Sequence, residues 1–144
     1  MTKALEVVQG IYGAFQRGDI PAILAALADD VAWEAWSENS AQVAGVPWLK
    51  GGSGKAAVIE FFGQVGQMKI HDLQVLDMLA NERQVGVELV IEVTTANGNR
   101  FRDEELHLWA VNTEGKVTRM RHYTDTAKQI RAAGLSNERA GSQL

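Results

Sequence analysis

Two runs of strict alternation near the C-terminal end, RFRDEELHLWAV and KVTRMRHYTDT, flank the short turn NTEG. Alternation with period two requires extended chain, and a Gly-containing turn of this length joins antiparallel neighbours. The stretch from Arg100 to Thr126 therefore reads as a β-hairpin. One face carries Asp103, Glu105 and His107 on the first run and His122 on the second. Carboxylates and imidazoles gathered on one face of a strand pair are either a solvated surface or the lining of a polar pocket. That choice governs what the chain can do.

The segments before the hairpin show where it packs. Leu5, Val8, Ile11, Tyr12 and Phe15 recur at helical spacing over residues 3–17, and Gly18 ends the pattern. Asp19 caps a second, shorter helix with Pro21 in its first turn. VAWEAW alternates as a short strand with Trp33 on one face. A long connection from Ser37 to Gly52 holds Val43, Val46, Trp48 and Leu49, which cap the core or rim a cavity. A third helix spans about Gly54 to Gly66. MKIHDLQVLDML and RQVGVELVIEVTT then read as two long strands, and the second meets the hairpin through Asn97-Gly98. Asp125 and Thr126 cap a last short helix. Helices grouped before strands give an α+β domain, with helices on one face of a bent antiparallel sheet.

Composition narrows the function. The chain has 144 residues and no Cys, so disulfides and thiolate chemistry are excluded. A net charge of −4 argues against nucleic-acid and anionic-membrane partners. No apolar run approaches a membrane span and no signal-peptide pattern opens the chain, so a cytoplasmic protein is expected. Residues 1–135 are expected to form one domain and residues 136–144 a mobile tail. The glycines at 51, 52 and 54 lack the GK[ST] ending of a phosphate loop. With no HxH or HExxH, and the two candidate imidazoles on different strands, no metal and no other cofactor is expected. His71 reads as exposed.

Three stretches resemble a known family: IYGAFQRGDIPAILAALADDVAWE, GKAAVIEFF and GKVTRMRHYTDTA. Together they are similar to the SnoaL-like polyketide cyclase and ketosteroid isomerase group of the nuclear transport factor 2-like superfamily. The similarity spans about residues 5 to 130. It implies a cone-shaped, cystatin-like curved antiparallel sheet whose mouth is closed by three N-terminal helices around a central pocket. On the strand before the hairpin, Val85, Val87, Leu89, Ile91 and Val93 form one face, and Glu88, Val90, Glu92 and Thr94 the other. Alternation alone puts the Val row in the core. The resemblance implies the reverse, with the Glu face lining the cone and the Val row convex, joined by Leu106 and Leu108 in a homodimer contact. The expected pocket is then lined by Trp33, Phe61, Glu88, Val90, Glu92, Trp109, Met120 and Thr124, with Trp48 at its rim.

Register sharpens the site. A two-residue turn at Asn97-Gly98 sets Glu92 opposite Asp103 and Glu88 opposite His107. A four-residue turn at NTEG sets Glu105 opposite His122 and His107 opposite Met120. Directly opposed side chains are close enough to interact, so two carboxylate–imidazole pairs are expected, Glu105–His122 and Glu88–His107. In ketosteroid isomerases a Tyr and two Asp act, at positions that match Ile11, Ala35 and His107 here, so that mechanism does not carry over. Tyr12, one residue further on, is expected to face elsewhere as packing. SnoaL-like cyclases and limonene epoxide hydrolases carry an Asp base at the position of His122. The expected function is cofactor-independent acid/base chemistry of isomerase, cyclase, lyase or hydrolase type. It would act on a small apolar, oxygenated molecule, with His122 and Glu105 as the active pair and His107 and Asp103 beside them. One ring nitrogen of His122 would be held by Glu105 and the other would face the cavity. The alternatives are a non-catalytic ligand-binding module and a dimerisation module of the same fold.

Overall fold

The computed structural model describes residues 2–136, so the expected tail lies outside the described residues apart from Ser136. Helix α1 (Lys3–Gln16) is capped by Thr2, whose side chain accepts from Leu5 N at 3.1 Å. Gly18, with φ 71°, then reverses the chain. Asp19 caps α2 (Ile20–Ala25) in the same way, with Pro21 in the first turn. Strand β1 (Leu27–Trp33) follows at once. The connection expected to be irregular contains α3 (Ser40–Ala44), capped by Asn39, and a single 3₁₀ turn at Pro47–Leu49. Short strand β2 (Gly52–Ser53) and helix α4 (Lys55–Val65) lead into the four long strands. These are β3 (Lys69–Ala80), β4 (Gln84–Thr94), β5 (Arg100–Val111) and β6 (Val117–Tyr123). Helix α5 (Thr126–Ala132) is capped by Asp125, which accepts from Lys128 N at 3.2 Å.

The six strands form one curved, unclosed sheet in the order β2-β1-β6-β5-β4-β3. All neighbours are antiparallel except β1 and β6, which run parallel. The fold is thus α+β, with the helices against one face. Val8, Ile11, Ile23, Val31 and Val58 meet Val85, Val87 and Leu89 in the main core. A second cluster joins Ala41, Ala44, Val46 and Leu49 to Ile130 of α5, so the long connection is pinned to the last helix. Among the described residues no helix is long and apolar enough to cross a membrane.

The facing of β4 corrects the inverted assignment. Val85, Val87 and Leu89 are fully buried beneath the helices, and Glu88, Val90 and Glu92 point to the outer face. The cause is the β4–β5 turn. Thr94 pairs with Arg100, leaving five residues between the strands rather than two. Thr95 holds this wider loop: its N–H donates to Asn99 O at 2.8 Å, and its hydroxyl lies 3.2 Å from Ala132 O of α5. Glu88 therefore faces Leu106, and His107 faces Val87. The expected Glu88–His107 pair does not form, because one residue of slip exchanges the two faces of a strand. The apolar row proposed as a dimer contact lies in the core. Leu106, expected beside that row, does stand exposed on the outer face, together with Leu76 and Leu79.

Candidate active site

A cavity opens between the helices and the concave face of the sheet. Its volume is about 130 Å³, far more than one water needs. Its wall is aromatic and aliphatic: Phe15 of α1, Trp33 of β1, Phe61 and Phe62 of α4, Leu89 and Ile91 of β4, and Trp109 and Met120 of the hairpin. Trp33 stands edge-on to Phe61 and Trp109, at centroid distances of 5.4 and 5.7 Å. Polar groups enter this wall at one end, where Tyr12, Glu34, Glu105, His107, His122 and Gln129 converge.

His107 and His122 are direct cross-strand partners, and His122 reaches diagonally to Glu105. Its Nε2 lies 2.7 Å from Glu105 Oε1, so the expected carboxylate–imidazole pair forms although the register differs. The second nitrogen of His122 does not face the cavity: Nδ1 lies 3.2 Å from Glu34 Oε1. Glu34 is buried and sits at φ 51°, a left-handed conformation rare outside Gly and often found at functional sites. Burial works against a charged His122, but the two carboxylates outweigh it and hold its pKa well above the usual imidazole range. Burial would likewise raise Glu105. The His122 charge and hydrogen bond, with the His107 ring close by, reverse this and keep Glu105 ionised far below the usual range. Both ring nitrogens of His122 thus donate to carboxylates.

His107 behaves differently. Burial is the leading cause that pushes its pKa below the usual range. Its Nδ1 lies 2.5 Å from Tyr12 Oη, and Trp109 Nε1 donates to that same oxygen at 3.1 Å. Burial drives the Tyr12 phenol far up, so it stays protonated. His107 Nε2 is 3.5 Å from Glu105 Oε1 and, although buried, has no hydrogen-bond partner. Behind this cluster Gln129 Nε2 donates to Asp103 Oδ2, Glu105 Oε2 and Thr124 Oγ1 at 3.0, 3.1 and 2.9 Å. The Thr124 hydroxyl also bonds Asp103. Burial, and then the neighbouring Glu105, raise Asp103 to about 6.

The expected residues divide clearly. Glu105, His107 and His122 line the cavity, with Trp33, Phe61, Trp109, Met120 and the rim residue Trp48. Asp103 and Thr124 stand one layer behind as supports. Glu88, Val90 and Glu92 are not in the wall. Three polar residues of the cavity escaped the sequence reading, Tyr12, Glu34 and Gln129, as did apolar wall residues such as Phe15, Phe62, Leu89 and Ile91. For Tyr12 the signal was present, since Ile11 and Tyr12 both reach the cavity from adjacent positions on one helix.

Solved structures share this architecture. An NTF2-like protein of unknown function from Burkholderia pseudomallei is 28% identical with a TM-score of 0.73, covering 92% of this chain and 98% of that one. A putative polyketide cyclase from Xanthomonas campestris is 26% identical with a TM-score of 0.68, covering 91% and 96%. TerC, crystallised with polyporic acid, is 25% identical with a TM-score of 0.69, covering 92% and 99%. No curated protein sequence matches the chain. The SnoaL-like domain matches residues 8–120. With its curved sheet, helical cover and inward polar cluster, the chain belongs to the SnoaL-like domain family.

Proposed function

We propose that the chain binds a small, largely apolar molecule bearing an oxygen function and moves a proton on it without a cofactor. His107 and Tyr12 exchange the proton, and His122, Glu105 and Asp103 set the charge around them. The observation that carries this reading is the 2.5 Å contact between Tyr12 Oη and His107 Nδ1 at the polar end of an otherwise apolar cavity. Both groups are held neutral by burial. A neutral imidazole can take a proton and a neutral phenol can give one, help worth about 10²–10⁴ in rate. Glu105, 3.5 Å from His107 Nε2, would stabilise the imidazolium that forms. Trp33 lines the cavity, and its indole N–H has no partner in the protein, which suits an oxygen on the ligand. A similar protein, TerC, was crystallised with a small molecule, polyporic acid, which supports a small-molecule ligand here. Isomerase, cyclase, lyase and hydrolase chemistry all fall within this reading.

The test is a panel of ring ketones, phenols and epoxides, with products followed by mass spectrometry. Tyr12→Phe and His107→Gln should each lower turnover by about 10²–10⁴ while circular dichroism stays unchanged. A second reading, a non-catalytic binding module, is favoured by one observation: carboxylates hold both nitrogens of His122, which makes a rigid recognition floor. A panel member that binds tightly and is released unchanged supports that second reading. Self-association through the outer sheet face is also part of the proposal, now resting on exposed Leu76, Leu79 and Leu106. A monomer by light scattering at micromolar concentration would remove it.

A further inference from the structure

Glu105, His107 and His122 converge at the polar end of the cavity, and each offers one atom that could ligate a metal. The three atoms lie within 4.8 Å of one another. Glu105 Oε1 is 2.7 Å from His122 Nε2 and 3.5 Å from His107 Nε2. We propose that these three atoms form a site for one divalent first-row transition ion of the zinc or iron(II) type, with its open positions facing the apolar cavity.

The far side of each group supports this. His122 Nδ1 is held by Glu34 Oε1 at 3.2 Å. His107 Nδ1 is held by Tyr12 Oη at 2.5 Å. Glu105 Oε2 is held by Gln129 Nε2 at 3.1 Å and by the Thr124 hydroxyl at 3.2 Å. Each candidate ligand thus has its outward atom tied; the inward Nε2 of His122 carries the proton it shares with Glu105 Oε1 at 2.7 Å, and an incoming ion would displace that proton to solvent. Metal-binding histidines are oriented in this way, through the other ring nitrogen, by a carboxylate or another polar group. A separate observation points to a ligand. His107 Nε2 is buried and unpartnered. In the tautomer whose Nδ1–H faces Tyr12, the lone pair of Nε2 turns inward, and an ion would satisfy it.

The donor set selects the metal class. Two imidazoles and one carboxylate suit zinc or iron(II), whereas magnesium and calcium take oxygen ligands. Bonds of about 2.1 Å with angles of 90–110° separate ligand atoms by about 3.0–3.4 Å. The 2.7 and 3.5 Å separations lie close to that range, and small ring rotations bring in the remaining one. The carboxylates of Glu34 and Glu105 flank His122, and one divalent ion balances their combined charge. The sequence conceals this set, because two ligands are two apart on β5 and the third lies across the ladder on β6.

The ion and the proton-transfer reading claim the same nitrogens of His107 and His122 and so exclude one another in a given molecule: turnover that survives in chelated protein belongs to proton transfer, and ion binding is measured apart from turnover. The test is calorimetric titration of the full, tag-free, chelator-treated chain with Zn²⁺, repeated with Co²⁺ and followed by its visible absorption. One ion per chain should bind at low micromolar concentration or tighter, and the cobalt bands should report nitrogen and oxygen ligands. Magnesium and calcium should not compete. Glu34→Gln should weaken binding by about 10–100-fold, and His107→Ala and Glu105→Gln by more. His71→Ala should bind as the parent does. No binding of Zn²⁺ at a hundredfold excess over protein overturns the proposal, as does undiminished binding by His107→Ala. Should those variants fail to fold, ¹⁵N spectra of the parent chain decide. Zn²⁺ should shift the ring signals of His107 and His122 and spare His71, and unmoved signals for the first two overturn the proposal.

Discussion

Trp48 Nε1 donates to Gln129 Oε1 at 2.7 Å, and that one bond fixes which way the Gln129 amide faces. An indole nitrogen only donates, so the amide oxygen must face Trp48 and the NH₂ must face Asp103, Glu105 and Thr124. A residue at the rim of the cavity thereby orients the group that holds its acid cluster. Trp48→Ala should weaken binding of a cavity ligand about tenfold or more through lost aromatic contact. It should lower Tm by only a few degrees, since Trp48 is half-buried. Paired calorimetry and thermal melts would check this. A large loss of Tm with unchanged affinity would contradict it.

Glu34→Gln removes one of the two carboxylates that keep His122 charged. The His122 pKa should fall, read by NMR titration of chelated protein. Removing one partner of a buried ion pair typically costs about 3–5 kcal/mol, and the isosteric amide should cost less because it can still accept from Nδ1. An unmoved His122 titration would show that Glu105 alone sets its charge.

Asp103→Asn tests the layer behind the site. Asp103 has a raised native pKa, about 6 against an ordinary value of 3.8. The folded state therefore holds its proton more tightly than the unfolded state does. The sign follows: ionising Asp103 destabilises the fold, with the cost absent below about pH 4, growing to about pH 6 and constant above. Asp103→Asn should then melt higher than the parent at pH 7.5, and the gap should close by about pH 4, with chelator present throughout. An equal gap at both pH values would refute this.

Leu89→Ala and Glu88→Ala test the facing of β4. Leu89 is fully buried, so its truncation should cost about 2–5 kcal/mol in denaturant unfolding. Glu88 is exposed on the outer face, so its truncation should fall within about 0.5 kcal/mol of the parent. The reverse order would restore the inverted sheet.

How far the sequence revealed the molecule can be read from these residues. The order of the longer elements, the caps Asp19 and Asp125 and the shared face of Glu105, His107 and His122 were visible as local pattern, whereas α3, the 3₁₀ turn and β2 were not. The facing of β4 was not. Asn97-Gly98 signals a two-residue turn, while Thr95, tied to Ala132 O on a distant helix, enforces a wider loop. Alternation alone had put the Val row inward, and the resemblance drew the assignment away from it. Glu34 was hidden for a related reason. Strict alternation sets it opposite Trp33, but its positive φ breaks the strand, and both residues line the cavity. Tyr12 was set aside because Ile11 took the aligned position, although the cavity is wide enough to receive both. Gln129 has no motif, since its role depends on α5 docking over β5 and β6.

The site is also a record of chain order. Tyr12 meets His107 across 95 positions, Glu34 meets His122 across 88, and Trp48 meets Gln129 across 81. Strand β1 finds its parallel partner β6 only after nearly all of the intervening chain has been placed. Such long closures are slow steps in folding. During synthesis the helices and the β3–β4 hairpin can form early, but the cavity lacks its chemistry until the last strand and helix dock. A ligand that recognises the completed cluster would bind only finished molecules, so its binding in refolding would rise with the slowest phase rather than with the first appearance of secondary structure.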